Sequence, residues 1–194
     1  MTRQTLFQNL LRATVLAVAL STGTSKAAGV HEFNAEYSSV QWANGWTYRY
    51  IDASAGNRHK AHYASSAMTR NGSAWQVGVN LSTIGKGWLW NNWQYDPLIT
   101  WNAQASNLNV TVSMNGLSVS SGAVCYLDFY DLSTNTMTTL AEFSEGVHND
   151  VFRLDLDTGD RLYFGKKANL ANYVPSYWNP VITIIPRGTL IKVW

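Results

Sequence analysis

The chain has 194 residues, with 14 Lys and Arg against 12 Asp and Glu and nine Trp. Its apolar and aromatic content is typical of a folded domain rather than of a disordered segment. Its near-neutral charge and the lack of a basic stripe exclude a protein that neutralises a run of nucleic-acid phosphates. We therefore expect no nucleic-acid partner.

Residues 1–28 predict a signal peptide. Two arginines, Arg3 and Arg12, precede a short apolar run, and the segment ends in small residues through Ala27 and Ala28. The run is shorter than the roughly 20 residues that span a bilayer, and cleavage is expected after one of these two alanines. No later segment is apolar enough to cross a membrane.

The mature chain, residues 29–194, is then predicted to be a single secreted domain, either extracellular or periplasmic. Loss of Arg3, Arg12 and Lys26 leaves 11 basic residues against 12 acidic ones. The basic character of the whole chain therefore belongs to the leader.

Alternating apolar and polar residues predict an all-β domain. The pattern has period two in several segments, and turn signals such as Asn71-Gly72 and Asn115-Gly116 separate them. We expect a sandwich or a barrel, with two antiparallel sheets favoured. The predicted strands are 35–42, 46–52, 74–80, 98–103, 107–114, 122–131, 136–143, 150–156, 161–166, 180–186 and 189–194.

The same alternation assigns several large side chains to the core. Trp46, Tyr48 and Tyr50 share one face of a strand, and Trp101 lies in an apolar strand. The single cysteine, Cys125, alternates with apolar residues and is expected to be a small buried side chain rather than a nucleophile.

The segment from Trp88 to Trp101 is the most unusual part of the chain. It carries four tryptophans interleaved with Asn and Gln, the combination that stacks on sugar rings and hydrogen-bonds their hydroxyls. Trp88 and Trp90 share a face, and Asn91-Asn92 then interrupts the strand. We expect the residues that follow to lie on a loop, where binding groups collect.

Several segments resemble a jelly-roll module of secreted bacterial proteins. The opening Tyr37–Gln41 and Asn44–Tyr50 is similar to the module's S-x-x-Q-G-x-N-G-W-x-Y-x-Y pattern, and later strands follow at 99–103, 152–156 and 159–164. The resemblance implies a jelly-roll β-sandwich similar to carbohydrate-binding modules. It supplies no catalytic residue.

Two departures from the module indicate where a specific ligand would bind. Trp42 stands where the module has glycine, and the segment 88–95 has no counterpart. We therefore predict a secreted, non-catalytic protein that binds a polysaccharide or oligosaccharide. The predicted ligand-binding residues are Trp88, Trp90, Asn91, Asn92, Trp93, Tyr95 and Trp42.

Two other classes of function stay open. A small polysaccharide lyase or hydrolase would use Arg58, His59, His62 and Tyr63, which combine bases with a group able to neutralise a uronate. Asp128 with Asp131 could form a carboxylate pair, although a solvated outer face explains both residues. A structural protein of an extracellular matrix or cell surface would instead use the aromatic residues as a protein interface.

No metal or cofactor is predicted. The histidines of the 59–62 segment lack a defined third ligand for zinc. A structural Ca²⁺ would need loop oxygen ligands, and no ligand string of the EF-hand type is present. The candidate loop ligands for Ca²⁺ are Asp52, Asn57, Asp157 and Asp160. The sequence leaves the oligomeric state open.

Overall fold

The computed structural model describes residues 29–52, 65–78, 81–91, 94–167 and 174–185. In these residues the chain forms strands β1 to β17, one helical turn, α1 (Phe33–Glu36), and a 3-10 turn at Ala43–Gly45. The strands are β1 Gly29–Glu32, β2 Trp46–Asp52, β3 Ser66–Ala67, β4 Thr69–Asn71, β5 Ala74–Val77, β6 Ser82–Gly85, β7 Trp88–Asn91, β8 Tyr95–Asn102, β9 Leu108–Ser113, β10 Leu117–Val119, β11 Cys125–Asp131, β12 Thr136–Phe143, β13 Gly146–His148, β14 Val151–Leu156, β15 Arg161–Lys166, β16 Ser176–Tyr177 and β17 Val181–Ile185.

The strands build an antiparallel β-sandwich of the jelly-roll type, which confirms the predicted fold class. One layer is a six-stranded sheet in the order β12-β11-β15-β8-β2-β3. The other layer has a seven-stranded part, β13-β10-β16-β7-β6-β5-β4, and a four-stranded part, β1-β17-β9-β14. Three chain segments run through both parts in the same order, so the two parts form one interrupted layer. These segments are β9 with β10, β13 with β14, and β16 with β17.

Left-handed and proline-containing breaks explain why that layer is interrupted. Asn115 and Gly116 have φ values of 47° and 76°, so the chain turns between β9 and β10 instead of continuing the ladder. Pro180 precedes β17 and has no N–H to donate to a neighbouring strand. The same layer therefore has two separately hydrogen-bonded sheets.

Aromatic side chains hold the two layers together. Tyr48 of the six-stranded sheet stacks on Trp75 of the seven-stranded sheet, with ring centroids 4.8 Å apart and planes 10° apart. Phe33 packs edge-on against Trp46 at 5.4 Å. Trp46, Tyr48 and Trp101 are at most 1% exposed, as predicted, whereas Tyr50, which the alternation places on the face of Trp46 and Tyr48, is only partly buried against the core. Each aromatic pair adds about 1 kcal/mol beyond the apolar area that it buries.

The predicted strand at 35–42 is wrong. The chain forms α1 there and then turns, with Trp42 and Asn44 at φ values of 70° and 52°. Side-chain contacts fix this path: the indole N–H of Trp46 donates to Glu36 Oε2 at 2.7 Å, and His31 Nδ1 lies 3.0 Å from Glu36 Oε1. The hydrogen bond between Glu36 and the buried indole of Trp46 is made from a compact turn and not from an extended strand.

Several expectations fall outside the described residues. They include the predicted signal peptide at 1–28, the predicted strand at 189–194 and the segment from Arg58 to Tyr63. The described chain lies in one compact unit, Ala28–Ile185. Within it, no helix has the length and apolar character needed to cross a bilayer.

The free energy of unfolding should fall at alkaline pH. Burial raises the pKa of Tyr48 to about 12, whereas a phenol in the unfolded chain ionises near pH 10. Because the unfolded state loses this proton first, the contribution to stability is complete below about pH 10 and is lost as the pH rises through about 12. Urea unfolding over this range should show the decline, and Tyr48→Phe should make it shallower. An equally steep decline in that variant would contradict the role of this phenol.

Candidate functional site

A groove lies on the face of the seven-stranded sheet that is turned away from the core. It encloses a volume of about 440 Å³. The residues that line it come from β5, β6, β7, β16 and the segment before β16. They are Gln76, Thr83, Trp88, Trp90, Pro175 and Tyr177. We call this surface the aromatic face, after Trp88, Trp90 and Tyr177.

The alternation of β7 explains why two tryptophans reach this surface. Leu89 is fully buried in the core and Asn91 is 1% exposed, so both side chains point inward. Successive side chains of a strand point to opposite faces. Trp88 and Trp90 therefore point outward, and both are partly exposed.

The strand register brings polar and aromatic side chains beside these tryptophans. Tyr177 of β16 lies directly opposite Trp88, and Thr83 of β6 lies opposite Trp90. Gln76 follows in the same row, opposite Thr83. Neighbouring strands are about 4.8 Å apart, so the groove offers hydroxyl and amide groups within reach of a molecule stacked on the rings.

The Gln76 amide has a fixed orientation. Asn71 Nδ2 donates to Gln76 Oε1 at 2.9 Å, which orients the amide nitrogen of Gln76 away from Asn71. Gln76 lines the groove, and its amide nitrogen can donate to a ligand there.

A glycine allows the Trp88 indole to lie flat on the sheet. Gly85 pairs with Trp88 across β6 and β7, and a Cβ at Gly85 would overlap the indole ring. The same arrangement occurs in the other layer, where the ring of Tyr126 covers Gly165. The indole of Trp88 thus lies over the backbone of β6, and its exposed part faces the groove.

Replacing this glycine should displace the ring. We expect Gly85→Ala to change the near-ultraviolet circular dichroism and the tryptophan emission, because the new methyl group occupies the position of the Trp88 indole. The far-ultraviolet spectrum should stay the same. In a Trp88→Ala background, the same glycine change should have no further effect on emission. A full effect in that background would contradict the contact.

The structure places the predicted ligand residues in different environments. Trp88 and Trp90 lie together on the aromatic face. Asn91 needs a correction: the pleat turns its amide inward, where it is 1% exposed. Tyr95 is also placed elsewhere, on β8, where it packs edge-on against Tyr50 at 5.3 Å. Trp42 is 55% exposed but does not line the groove.

Two of the predicted ligand residues, Asn92 and Trp93, lie outside the described residues. The structure adds Tyr177, which is 57% exposed, together with Gln76, Thr83 and Pro175. The sequence carries little signal for them, because β16 has only two residues and no visible alternation. Only the register with β7 reveals that Tyr177 belongs beside Trp88.

The face of the six-stranded sheet that is turned away from the core carries a cluster of buried polar side chains. One row across neighbouring strands holds Asp128, Tyr163, Thr100 and Thr47, all at most 1% exposed. The expectation of a solvated outer face at Asp128 is therefore wrong, since its carboxylate is fully buried. Charged and hydroxyl groups at such positions require hydrogen-bonding partners inside the protein.

Two arginines lie on the same face of the sheet as this polar cluster. The charge of Arg161 acts on Tyr163, and its guanidinium lies 5.7 Å from the centre of the Tyr130 ring. Arg49 donates to Ser65 Oγ at 2.7 Å. Burial raises the pKa of Tyr163, although the arginines oppose the shift. The phenol is therefore protonated at neutral pH and is unsuited to act as a general base.

Cys125 lies in the core and is fully buried. Burial raises the pKa of its thiol to about 12. Because the thiolate is the reactive form, this side chain is inert at neutral pH, in agreement with the prediction from its strand pattern.

A thiol reagent should therefore distinguish native from unfolded protein. At mildly alkaline pH the native chain should show no reaction with Ellman's reagent on the time scale of the assay. In denaturing urea the single cysteine should react fully. Rapid labelling of the native protein, at a rate similar to that in urea, would contradict the buried position of Cys125.

In the described part of the chain, no group of three His, Cys, Asp or Glu side chains is placed to hold a metal ion. Two of the candidate calcium ligands instead bind backbone groups. Asp160 Oδ1 accepts from Leu132 N at 3.0 Å and its Oδ2 from Asp157 N at 2.8 Å. Asp157 Oδ1 accepts from Asn107 N at 2.7 Å. These carboxylates fix loops between strands.

Comparison with known proteins adds little to this picture. No family model matches the chain, and no curated protein matches it. Among solved structures, the chain is similar to a variant of a family 29 carbohydrate-binding module. The two sequences are 10% identical, the match covers 81% of this chain and 87% of that one, and the TM-score is 0.38. At this level of similarity, nothing about a ligand or a site carries over to this chain.

Proposed function

We propose that this protein binds a glycan through the aromatic face and does not act on it chemically. The observation that carries the proposal is the meeting of Trp88, Trp90 and Tyr177 on one groove of a rigid sheet. Solvent-exposed rings of this size cost free energy unless a ligand covers them. A sugar ring has one apolar face that stacks on an indole and a rim of hydroxyls.

The polar residues between the rings support the same ligand. Thr83 and the oriented amide of Gln76 offer hydrogen-bonding groups at the edge of the stacked surface. Sugar hydroxyls both donate and accept, so they match a hydroxyl and an amide better than they match a charged pair. Such contacts would fix the orientation of the sugar, while the rings would supply most of the affinity.

The expected affinity is modest. Each stacked ring contributes on the order of 1 kcal/mol, so a few rings give dissociation constants in the micromolar to millimolar range. Tight retention on an insoluble polysaccharide would then come from many weak contacts. A secreted protein, which the leader predicts, would meet such polymers outside the cytoplasm.

Alanine substitutions in the aromatic face should weaken binding. On a polysaccharide that retains the protein in pull-down, we expect Trp88→Ala, Trp90→Ala and Tyr177→Ala each to lower the affinity about fivefold. These side chains are exposed or partly exposed, so the thermal unfolding midpoint should change little. Affinity electrophoresis or calorimetry measures the difference.

Trp42→Ala is the matched control, because it removes an exposed indole that does not line the groove. Its affinity should equal that of the unmodified protein. The proposal fails if the three groove variants bind normally, and a loss confined to Trp42→Ala would place the ligand elsewhere.

A further inference from the structure

If the proposed function holds, the side chains of the aromatic face and the row that they form across the strands narrow the class of glycan that can bind. We propose that it binds several consecutive units of a neutral polysaccharide, with the sugar chain lying across the strands. Two independent features of the sheet carry this inference: the lack of charge on the outward positions of its strands and the alignment of Trp88 and Tyr177 in one row across the strands.

The outward positions of the strands that form the groove carry no ionisable acid or basic side chain in the described part of the chain. They hold aromatic, hydroxyl and amide groups or small residues instead, chiefly Gln76, Thr83, Trp88, Trp90 and Tyr177. Ser118 of the neighbouring strand β10 continues the same surface. Lys86, in the turn between β6 and β7, is not among the residues that line the groove. A uronate or sulfate placed on these strands would lose hydration without gaining a counter-charge from them. The surface therefore favours an uncharged sugar.

Arg70 is the arginine in the described strands of the seven-stranded sheet, and it does not face the groove. Arg70 of β4 pairs with Trp75 and lies on the core side of the sheet, with its guanidinium 5.4 Å from the Tyr37 ring and 5.7 Å from the Trp75 ring. Its Nη1 donates to Tyr37 Oη at 3.0 Å. This partly exposed cation packs against aromatic rings on the other side of the sheet from the groove, so it does not neutralise an acidic sugar there.

The register aligns the exposed side chains in a line perpendicular to the strands. Trp88 pairs with Tyr177, Tyr177 with Ser118, and Ser118 with Val147. From Trp88 to Val147 the line crosses three strand spacings, about 14 Å at roughly 4.8 Å each. This length exceeds a single sugar ring, so the row suits several consecutive units.

The row is open where it reaches β13. That strand is the edge of the seven-stranded sheet, and Val147 at this edge is 69% exposed. A site for the end of a sugar chain needs a wall that stops the chain and groups that bind its terminal hydroxyl. The open edge lets the polymer continue past β13, so this end of the row does not require a chain terminus.

Length dependence tests the inference directly. Calorimetry would use cello-, manno- and xylo-oligosaccharides from disaccharide to hexasaccharide, with the full-length protein. For the series that binds, we expect affinity to rise at least tenfold from disaccharide to hexasaccharide, because each added unit covers more of the row. A disaccharide that binds as tightly as the hexasaccharide would overturn the inference and would indicate a pocket for a single unit.

Charge is tested with a matched polymer pair, a β-glucan and the same glucan after oxidation of its C6 hydroxyls to carboxylates. We expect at least a tenfold loss of affinity on oxidation. Equal or tighter binding of the oxidised polymer would overturn the neutral assignment while leaving glycan binding in place. Failure to bind any polysaccharide of a broad panel would instead overturn the proposed function and the inference with it.

A variant pair locates the polymer on the row. Tyr177→Ala should reduce the affinity difference between disaccharide and hexasaccharide, because the ring lies between Trp88 and the edge of the sheet. Val151→Ala is the control, since Val151 is 58% exposed but belongs to the four-stranded sheet. An unchanged length dependence in Tyr177→Ala would overturn the proposed path of the chain.

Discussion

The packing of Leu89 into the core is the constraint on which the aromatic face depends. Leu89 is fully buried between the layers, and the stack of Tyr48 on Trp75 fixes the seven-stranded sheet above it. Because side chains alternate along a strand, anchoring Leu89 forces Trp88 and Trp90 to the opposite surface. Exposed tryptophans are thus the consequence of a well-packed leucine between them.

The outward faces of the two layers differ in burial and in charge. The face of the six-stranded sheet that is turned away from the core buries Asp128 and Tyr163, and buried polar groups of this kind need partners inside the protein. The aromatic face carries no charge on its strands and leaves its rings accessible. An uncharged ligand that binds to the aromatic face loses little hydration there. The polar groups on the six-stranded sheet are buried and serve the fold.

Period-two patterns predicted the core well. The positions of Trp46, Tyr48, Trp101 and Cys125 follow from alternation alone. The same rule failed at Asp128. A buried polar cluster on the outward face of the six-stranded sheet gives the same sequence pattern as a solvated face. Neither pattern nor composition could place Tyr177, since its neighbour in the groove is distant in sequence and only sheet register joins them.

The division of the tryptophans between core and surface is the central claim, and the indole N–H resonances test it most directly. In a ¹⁵N correlation spectrum with an oligosaccharide that binds, the signals of Trp88 and Trp90 should shift on titration. Those of the buried rings at Trp46, Trp75, Trp101 and Trp178 should stay in place. Saturable binding that leaves the Trp88 and Trp90 signals unmoved would contradict the account.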